Sequence, residues 1–442
     1  MKRDIEQELL AWKNRPERKP LLIRGARQIG KTYSVDQFGK KYFDSILTVN
    51  FEEMKDVKKT FEGDLTISLI LRDLSVRFKQ PIIPGQTLLF FDEIQACPEA
   101  LLSLRFFKEQ LPELHVIGAG SLLEFIMGDD RFSFPVGRIE YLYMRPLSFR
   151  EFLIAKGELE ALAWIKEATV HRPVGITTHH HLLKIAKEYF MVGGMPECVS
   201  SFIQTSQFLS LDMLHKQIIS TYENDLGKYP RSSQQKFLKL LFEAAPRLVG
   251  ENFKYAKIHP YAQSRDYIEA LDVLTRTGIL HRVFANSASG IPLAMQKIDK
   301  KFKLLFLDIG LLPQAEDPVL LDAEDIAQVH KGMLAEQFVG QELIAYSPAY
   351  KNPALYYWER DKQGSAAEVD YLIEVGPEVV PIEVKAGARG RLRSIKQFLT
   401  EKKFSLGIQI SQAPLSLDSN ILSIPLYMIS ELGRLVRDCT SE

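Results

Sequence analysis

The sequence predicts an α/β protein: a mostly parallel sheet with helices on both faces, then a helical stretch, then a second, smaller α/β module. Three observations predict it. The stretch Gly25-Ala26-Arg27-Gln28-Ile29-Gly30-Lys31-Thr32 fits G-x-x-x-x-G-K-[ST] and lies between an apolar run and a potential helix. Apolar runs ending in acids or small polar residues alternate with helical patterns up to about residue 125. Near the C-terminus, 368–375 alternates acids with apolar residues, and after a Gly376-Pro377 turn 379–385 forms a second strand, so the pair reads as a half-buried hairpin.

A chain of 442 residues has room for roughly two to four domains. Its 46% hydrophobic and 25% charged content is that of a globular protein, which excludes a disordered or fibrous one. The net charge of +0 neither recruits nor repels nucleic acid, so any such binding rests on local patches. Cys97, Cys198 and Cys439 have no C-x-x-C spacing and read as reduced thiols. The first residues lack the apolar core of a signal peptide, and no apolar run approaches membrane-spanning length. A cytoplasmic location with no membrane partner is the expectation.

Residues Asp4 to Arg15 read as a charged helix with Ile5, Leu9, Leu10 and Trp12 toward one side. Leu21-Leu22-Ile23 is a short buried strand after the Lys19-Pro20 break, and Thr32 onward starts a helix. That context makes the glycine-rich loop a phosphate site. Its backbone N–H groups and the helix N-terminus face the phosphates, Lys31 reaches the β- and γ-phosphates, and the Thr32 hydroxyl binds Mg²⁺. Ser45 to Phe51 is a second strand. Gln86 to Glu93 is a third, a buried strand that delivers Asp92 and Glu93 at its C-terminal end. There Asp92 holds Mg²⁺ and Glu93 polarises the attacking water; the bland reading is an Asp-Glu cap on the following helix. His115 to Ser121 is a further strand. Ser121 at its end reads either as an N-cap or as a sensor of the γ-phosphate.

The phosphate loop, Phe90-Phe91-Asp92-Glu93-Ile94-Gln95, Ala119-Gly120-Ser121 and Gly137-Arg138 through Pro146-Leu147-Ser148-Phe149 together resemble AAA-type ATPases of the archaeal-ATPase-like group, which carry a C-terminal domain of the DUF4143 type. The resemblance continues in Gly193-Gly194-Met195-Pro196-Glu197 and in Lys303 to Leu311, and so spans nearly the whole chain. It implies a P-loop NTPase fold, ATP as the nucleotide, and Arg138 as an arginine that reaches the γ-phosphate in cis or, in an oligomer, in trans. Read from the residues alone, Arg138 is a surface or strand-end arginine.

From Glu151 to about Tyr229 the pattern is helical, a lid or connector. His179-His180-His181 within it point in different directions on a helix and have no acid or cysteine cluster, so they read as a solvated helix start rather than a metal site. Between Gln234 and Phe284, short helices precede a hairpin. Ser264 caps a helix to Arg276 with Ile268, Leu271 and Leu274 inward. This is a winged-helix outline, which the resemblance also implies, and its ancestral use is DNA binding. Arg265, Asp266, Glu269, Asp272 and Arg276 mix both signs on that helix, so packing against the ATPase part is an equal alternative.

In the C-terminal hairpin, a period of two puts Glu383 and Lys385 on one face, with Asp370 on the neighbouring strand. Two carboxylates and a lysine suit a divalent metal and phosphodiester hydrolysis. The set resembles the PD-(D/E)XK nuclease core, with Asp370 and Glu383-x-Lys385 in its motif positions and Glu336 as the further acid from the preceding helix. Trp358-Glu359-Arg360 falls on the strand before Asp370. Lys385, Arg389, Arg391, Arg393, Lys396, Lys402 and Lys403 outweigh Glu383 and Glu401, a segment able to track a phosphate backbone or simply a charged helix face. Phe398 and Phe404 are too sparse for base stacking, which favours duplex or structured targets.

The expected organisation is an AAA-type ATP-binding domain (1–155), a helical connector (156–230), a winged-helix-like domain (231–300) and a nuclease-like α/β domain (301–442). The expected function is ATP binding and hydrolysis coupled to a nuclease-like, DNA-interacting domain. The alternative is a nucleotide-controlled switch whose C-terminal domain is inactive and binds a protein or DNA partner.

Overall fold

Short apolar strands alternate with helices through the first 145 residues, and the strands pair in parallel because each is followed by a crossover. The structure is a computed structural model describing residues 1–63, 65–121, 123, 137–227, 232–259, 263–312, 331–360, 367–388, 390 and 392–441. It has two units. Unit 1 is Met1–Arg145 with Arg276–Gly278 and Pro348–Asn352; unit 2 is Pro146–Thr275, Ile279–Ser347 and Pro353–Glu442.

In unit 1, α1 (Ile5–Asn14) buries Ile5, Leu9 and Trp12. It precedes β1 (Leu21–Arg24), α2 (Lys31–Tyr42), β2 (Ser45–Asn50), α3 (Ile67–Phe78), β3 (Thr87–Asp92), α4 (Pro98–Gln110), β4 (His115–Ala119) and β5 (Glu140–Tyr143). The sheet order is β2-β3-β4-β1-β5, every pair parallel. All residues of β3 and β4 are buried, as strands covered on both faces are. Phe51, Phe61, Phe91 and Phe107 meet edge to face or tilted beside this sheet, an arrangement that adds to plain burial. The edge strand β5 has no apolar run; pairing with β1 forms it. The parallel order puts the ends of β1 to β4 on one edge of the sheet, where such folds hold ligands.

Unit 2 begins with α5 (Phe149–Lys156), α6 (Leu159–Glu167), α7 (Ile176–Val192), α8 (Pro196–Thr205), α9 (Leu209–Leu226), α10 (Ser232–Ala244) and α11 (Ser264–Arg276, its last residue counted with unit 1). It continues with β6 (Leu280–Asn286), β7 (Lys297–Phe306), α12 (Lys331–Ala345), β8 (Leu355–Glu359), β9 (Glu368–Val375), β10 (Glu378–Val384), α13 (Arg393–Lys402), β11 (Gly407–Ser411), β12 (Ser416–Asp418), β13 (Ile421–Pro425) and α14 (Leu432–Ser441). One sheet runs β12-β13-β11-β10-β9-β8-β6-β7.

Three details depart from the sequence reading. The hairpin β6–β7 is not a separate wing: β8 pairs in parallel with β6, so the open N–H and C=O groups of that edge are used to extend the C-terminal sheet. A boundary at 300/301 therefore falls inside β7. On α11, Ile268 is exposed, and the buried stripe is Tyr267, Ala270, Leu271 and Leu274, the residues that share one side at 3.6 per turn. His179 is not solvated. It is buried, with Nδ1 2.8 Å from the Tyr427 hydroxyl and Nε2 3.1 Å from the Gln412 carbonyl, while His181 pairs with Glu158 at the surface. The expected connector end at Tyr229, and Arg389 and Arg391, lie outside the described residues.

The motifs at 147–149, 193–197 and 307–311 converge on one buried polar knot. Asp308 is fully buried; its Oδ2 accepts from the Gly194 N–H at 2.7 Å and Gln341 Nε2 at 3.0 Å, and its Oδ1 from the Gly310 N–H at 3.0 Å. Gly193 sits so close that a Cβ there would lie 1.9 Å from Asp308 Oδ1, at a φ of +71°. Beside it Glu342 accepts the Phe149 N–H at 3.0 and 3.1 Å and the Tyr346 hydroxyl at 2.6 Å. The Tyr189 hydroxyl donates to the Leu147 carbonyl and accepts from Gln341.

Burial pushes Glu342 up to about 8, from 4.5. Between those values the folded chain keeps a proton that the unfolded chain releases, so this residue's contribution is full below pH 4.5 and is lost as the pH rises to about 8. Urea midpoints at pH 5, 7 and 9 are expected to fall more steeply for the natural chain than for Glu342→Gln. Equal slopes would remove this account.

Candidate nucleotide site and C-terminal carboxylate cluster

The loop between β1 and α2 takes its shape from three residues of positive φ, Gly25 at 141°, Gln28 at 60° and Gly30 at 90°. Gly25 has no alternative, since a Cβ there would stand 2.3 Å from the Met144 carbonyl. Successive N–H groups in such a turn form an anion-binding concavity at the start of α2. Lys31 is buried, and its Nζ donates to the loop's own carbonyls, Gly25 at 3.0 Å and Ala26 at 2.7 Å. Burial pushes Lys31 down to about 8 against the opposing charges of Glu93 and Asp92.

The neighbouring strand ends supply the other groups. The Thr32 hydroxyl donates to Asp92 Oδ2 at 3.0 Å, and Asn50 Nδ2, at the end of β2, lies 3.5 Å from the same oxygen. Burial pushes Asp92 up to about 6. Glu93 has a left-handed backbone (φ 46°), and its Oε2 accepts from Gln95 Nε2 at 2.5 Å and from the Ser121 hydroxyl at 3.4 Å. Arg27 donates from Nε to Ser121 Oγ at 3.2 Å and pairs with Glu52 at 3.3 Å. The structure thus brings Gly25, Ala26, Arg27, Gln28, Ile29, Gly30, Lys31, Thr32, Asp92, Glu93 and Ser121 to one edge of the sheet. Sequence reasoning missed Asn50 and Gln95. Gln95 had a signal in its place two residues after Glu93. A Cβ on Gly120 would lie 2.1 Å from its Oε1, so glycine there makes room for it.

Arg138 is not part of this group. It precedes β5, at the opposite edge of the sheet, about 13 Å away along a four-residue strand, and its Nε faces Glu109 of α4 at 3.3 Å. It is exposed.

A hard oxygen pair such as the Thr32 hydroxyl and the Asp92 carboxylate fits Mg²⁺, whose other positions water and phosphate fill. A cation there would also relieve the desolvated Asp92.

In unit 2, α12, β9 and β10 bring Glu336, Asp370, Glu383 and Lys385 together. Asp370 Oδ2 accepts the Val384 N–H at 2.7 Å, and Lys385 Nζ donates to Glu383 Oε1 at 2.6 Å. Glu383 Oε2 is buried without a partner. The Tyr371 hydroxyl donates to the Glu336 carbonyl at 2.8 Å and fixes α12 against β9. Burial, then the Asp370 charge, pushes Glu336 up to about 8 and Glu383 up to about 7, and burial raises Asp370. A residue not expected here enters from β7. The buried Lys303 ammonium bonds Glu368 and lies 3.6 Å from Glu336 Oε2. As they stand, these acids do not fit a divalent ion: among the described residues no three His, Cys, Asp or Glu side chains converge to hold one. Phe398 and Phe404 stack at 5.7 Å, with Phe398 against Trp358, and serve the core rather than bases.

The parallel sheet, phosphate loop and acidic strand end define an AAA-type P-loop fold, one of nucleotide binding and hydrolysis. The chain carries an AAA domain, by a family match over residues 17–153, and a domain of unknown function, DUF4143, over 331–428; a second domain of unknown function, DUF8612, matches 183–320. No curated protein gives a significant match. Similar solved structures include the Aeropyrum pernix ORC1 protein in complex with DNA (13% identity, 69% of this chain and 89% of that chain, TM-score 0.26). Others are the Thermotoga maritima RuvB Holliday junction branch migration motor (14%, 63% and 89%, 0.29) and C. elegans PCH-2 (12%, 45% and 60%, 0.29). At these values they lend nothing to the reading of the site. No helix among the described residues is long and apolar enough to cross a membrane.

Proposed function

We propose that the chain is an ATP-hydrolysing switch that passes its nucleotide state to a nuclease-like, DNA-interacting C-terminal module. One observation carries the first half: Lys31, Thr32, Asp92, Glu93 and Ser121 share a single sheet edge around a loop of anion-binding shape. Lys31 turns from the Gly25 and Ala26 carbonyls to the phosphates. Thr32 and Asp92 would hold Mg²⁺, which neutralises charge on the phosphates when bound. Glu93, oriented by Gln95, takes the proton of the attacking water, and Ser121 meets the γ-phosphate. Arg138 stands at the far edge of its own sheet, so it serves only the γ-phosphate of a neighbouring copy, and full turnover requires an oligomer.

Coupling is supported by Pro348–Asn352, which follows α12 and belongs to unit 1. There the Tyr143 N–H donates to the Ala349 carbonyl at 2.7 Å and Arg145 to the Lys351 carbonyl at 3.2 Å. In the C-terminal module, Asp370, Glu383 and Lys385 hold the motif positions, with Glu336 on the preceding helix. Arg393, Lys396 and Lys403 are exposed and would meet a DNA backbone, whereas Lys402 is tied to the Ser287 carbonyl at 2.6 Å. On α11 the acids lie close to basic residues, Asp266 by Arg265 and Asp272 by Arg282, which favours packing over base reading. Lys303 among the acids favours the second reading, in which the module holds DNA without cutting it.

The test measures phosphate release and duplex binding by the purified chain, Lys31→Ala, and the double charge reversal Arg393→Glu/Lys396→Glu. Supercoiled DNA with Mg²⁺ or Mn²⁺ runs alongside, with Asp370→Ala. Turnover lost in Lys31→Ala, and salt-sensitive binding lost in the charge reversal, support the switch. Nicking lost in Asp370→Ala establishes cutting. Absence of ATP turnover at every protein concentration removes the ATPase half, and absence of DNA affinity removes DNA as the partner.

A further inference from the structure

Lys303 is among the most buried charges of unit 2, with its side chain only 6% exposed. It comes from β7, outside the segment that carries the nuclease-like motif. Its ammonium bonds Glu368, lies 3.6 Å from Glu336 Oε2, and sits over the Tyr357 ring with Nζ 5.2 Å from the centroid. Burial works against its charge, but Glu336, Glu368 and Asp370 outweigh that and hold it above its ordinary value. The remaining acid, Glu383, is engaged on one side by Lys385, with Oε2 buried and unpartnered.

We infer that the Lys303 ammonium takes the place of a divalent ion among Glu336, Glu368 and Asp370, so that the cluster draws its cation from within the chain. This rests on the nuclease-like reading of the module. The physical argument is one of charge and space. Buried carboxylates need a cation, and an ammonium is a compact one with three donors. A second cation placed between these carboxylates would stand beside the ammonium that bonds Glu368 and lies 3.6 Å from Glu336 Oε2, and would be repelled by it. Removing the ammonium leaves hard oxygen donors on α12 and β9, the donor chemistry that Mn²⁺ and Mg²⁺ take. Lys303 is therefore a positioning residue that fixes α12 to β7 and β9 and holds the acids apart, and its loss frees them to draw together around an ion.

The test is thermal melting of nucleotide-free protein with and without millimolar Mn²⁺, for the natural chain, Asp370→Asn, Lys303→Met, and Lys303→Met combined with Asp370→Asn. Apart from any shift that Asp92→Ala removes, the natural chain is expected to melt alike in both conditions. Lys303→Met should melt lower and recover by roughly 5 °C in Mn²⁺, as binding to the folded state alone stabilises it. The double variant should not recover. Should Lys303→Met fail to fold, Lys303→Gln, whose amide keeps a bond to Glu368 without the charge, undergoes the same measurement. A natural chain that Mn²⁺ stabilises in an Asp370-dependent way overturns the inference and leaves the nuclease-like reading standing. A folded Lys303 variant indifferent to Mn²⁺ overturns both.

Discussion

Glu93→Gln is expected to bind ATP about as well as the natural chain and to hydrolyse it about 10²- to 10⁴-fold more slowly, the usual worth of a positioned general base. The substitution keeps the shape and a hydrogen-bonding oxygen. It removes the ability to take a proton from water at the moment of attack, a barrier increase of roughly 3–5 kcal/mol. The geometry makes the swap conservative for binding. Glu93 follows β3, one residue beyond the carboxylate that faces Thr32, and its own carboxylate is held by Gln95 and Ser121 rather than by the phosphate loop. Lys31→Ala supplies the contrast, because Lys31 is the cation of the loop itself and its loss should remove binding along with turnover. Fluorescent-nucleotide titration and phosphate release, measured on the same samples, separate the two. Turnover within a factor of three of the natural chain in Glu93→Gln would move the catalytic base elsewhere.

Asp308→Ala is expected to lower the stability of unit 2 by about 4 kcal/mol, because it orphans two buried backbone N–H groups and one N–H of the Gln341 amide, whose other partner is Tyr189, at about 1–3 kcal/mol each. The Gly194 and Gly310 N–H groups, at 2.7 and 3.0 Å from the carboxylate, have no solvent to turn to. At roughly 2–4 °C per kcal/mol, the corresponding transition should fall by about 10 °C. Asp308→Asn keeps one acceptor oxygen and should fall by less. Gly193→Ala should be as damaging as Asp308→Ala, since a Cβ cannot stand 1.9 Å from Asp308 Oδ1. Melting of Asp308→Ala within 2 °C of the natural chain would mean that the knot is not what holds these motifs together.

The residues of the candidate nucleotide site, which the structure gathers at one edge of the sheet, were legible in the sequence because their logic is local. A run of apolar residues, glycines at positions of positive φ, and acids at a strand end are each written within a few residues, and the parallel order of the sheet follows from strand–helix alternation. Asp370, Glu383 and Lys385 were legible for the same reason: a period of two and one tight turn fix their faces.

The tertiary structure alone decided where Arg138 lies relative to the phosphate loop, since no local pattern says at which edge of a sheet a strand begins. It alone joined β6–β7 to β8, placed His179 against Tyr427, and drew Leu147, Gly194, Asp308 and Gln341 from four distant segments into one knot. It alone seated Lys303 among Glu336, Glu368 and Asp370. Period and spacing report only which face a residue takes on its own helix or strand; which buried charge meets which is set by long-range packing, where the cost of leaving a carboxylate or ammonium unpaired selects partners that lie tens of residues apart.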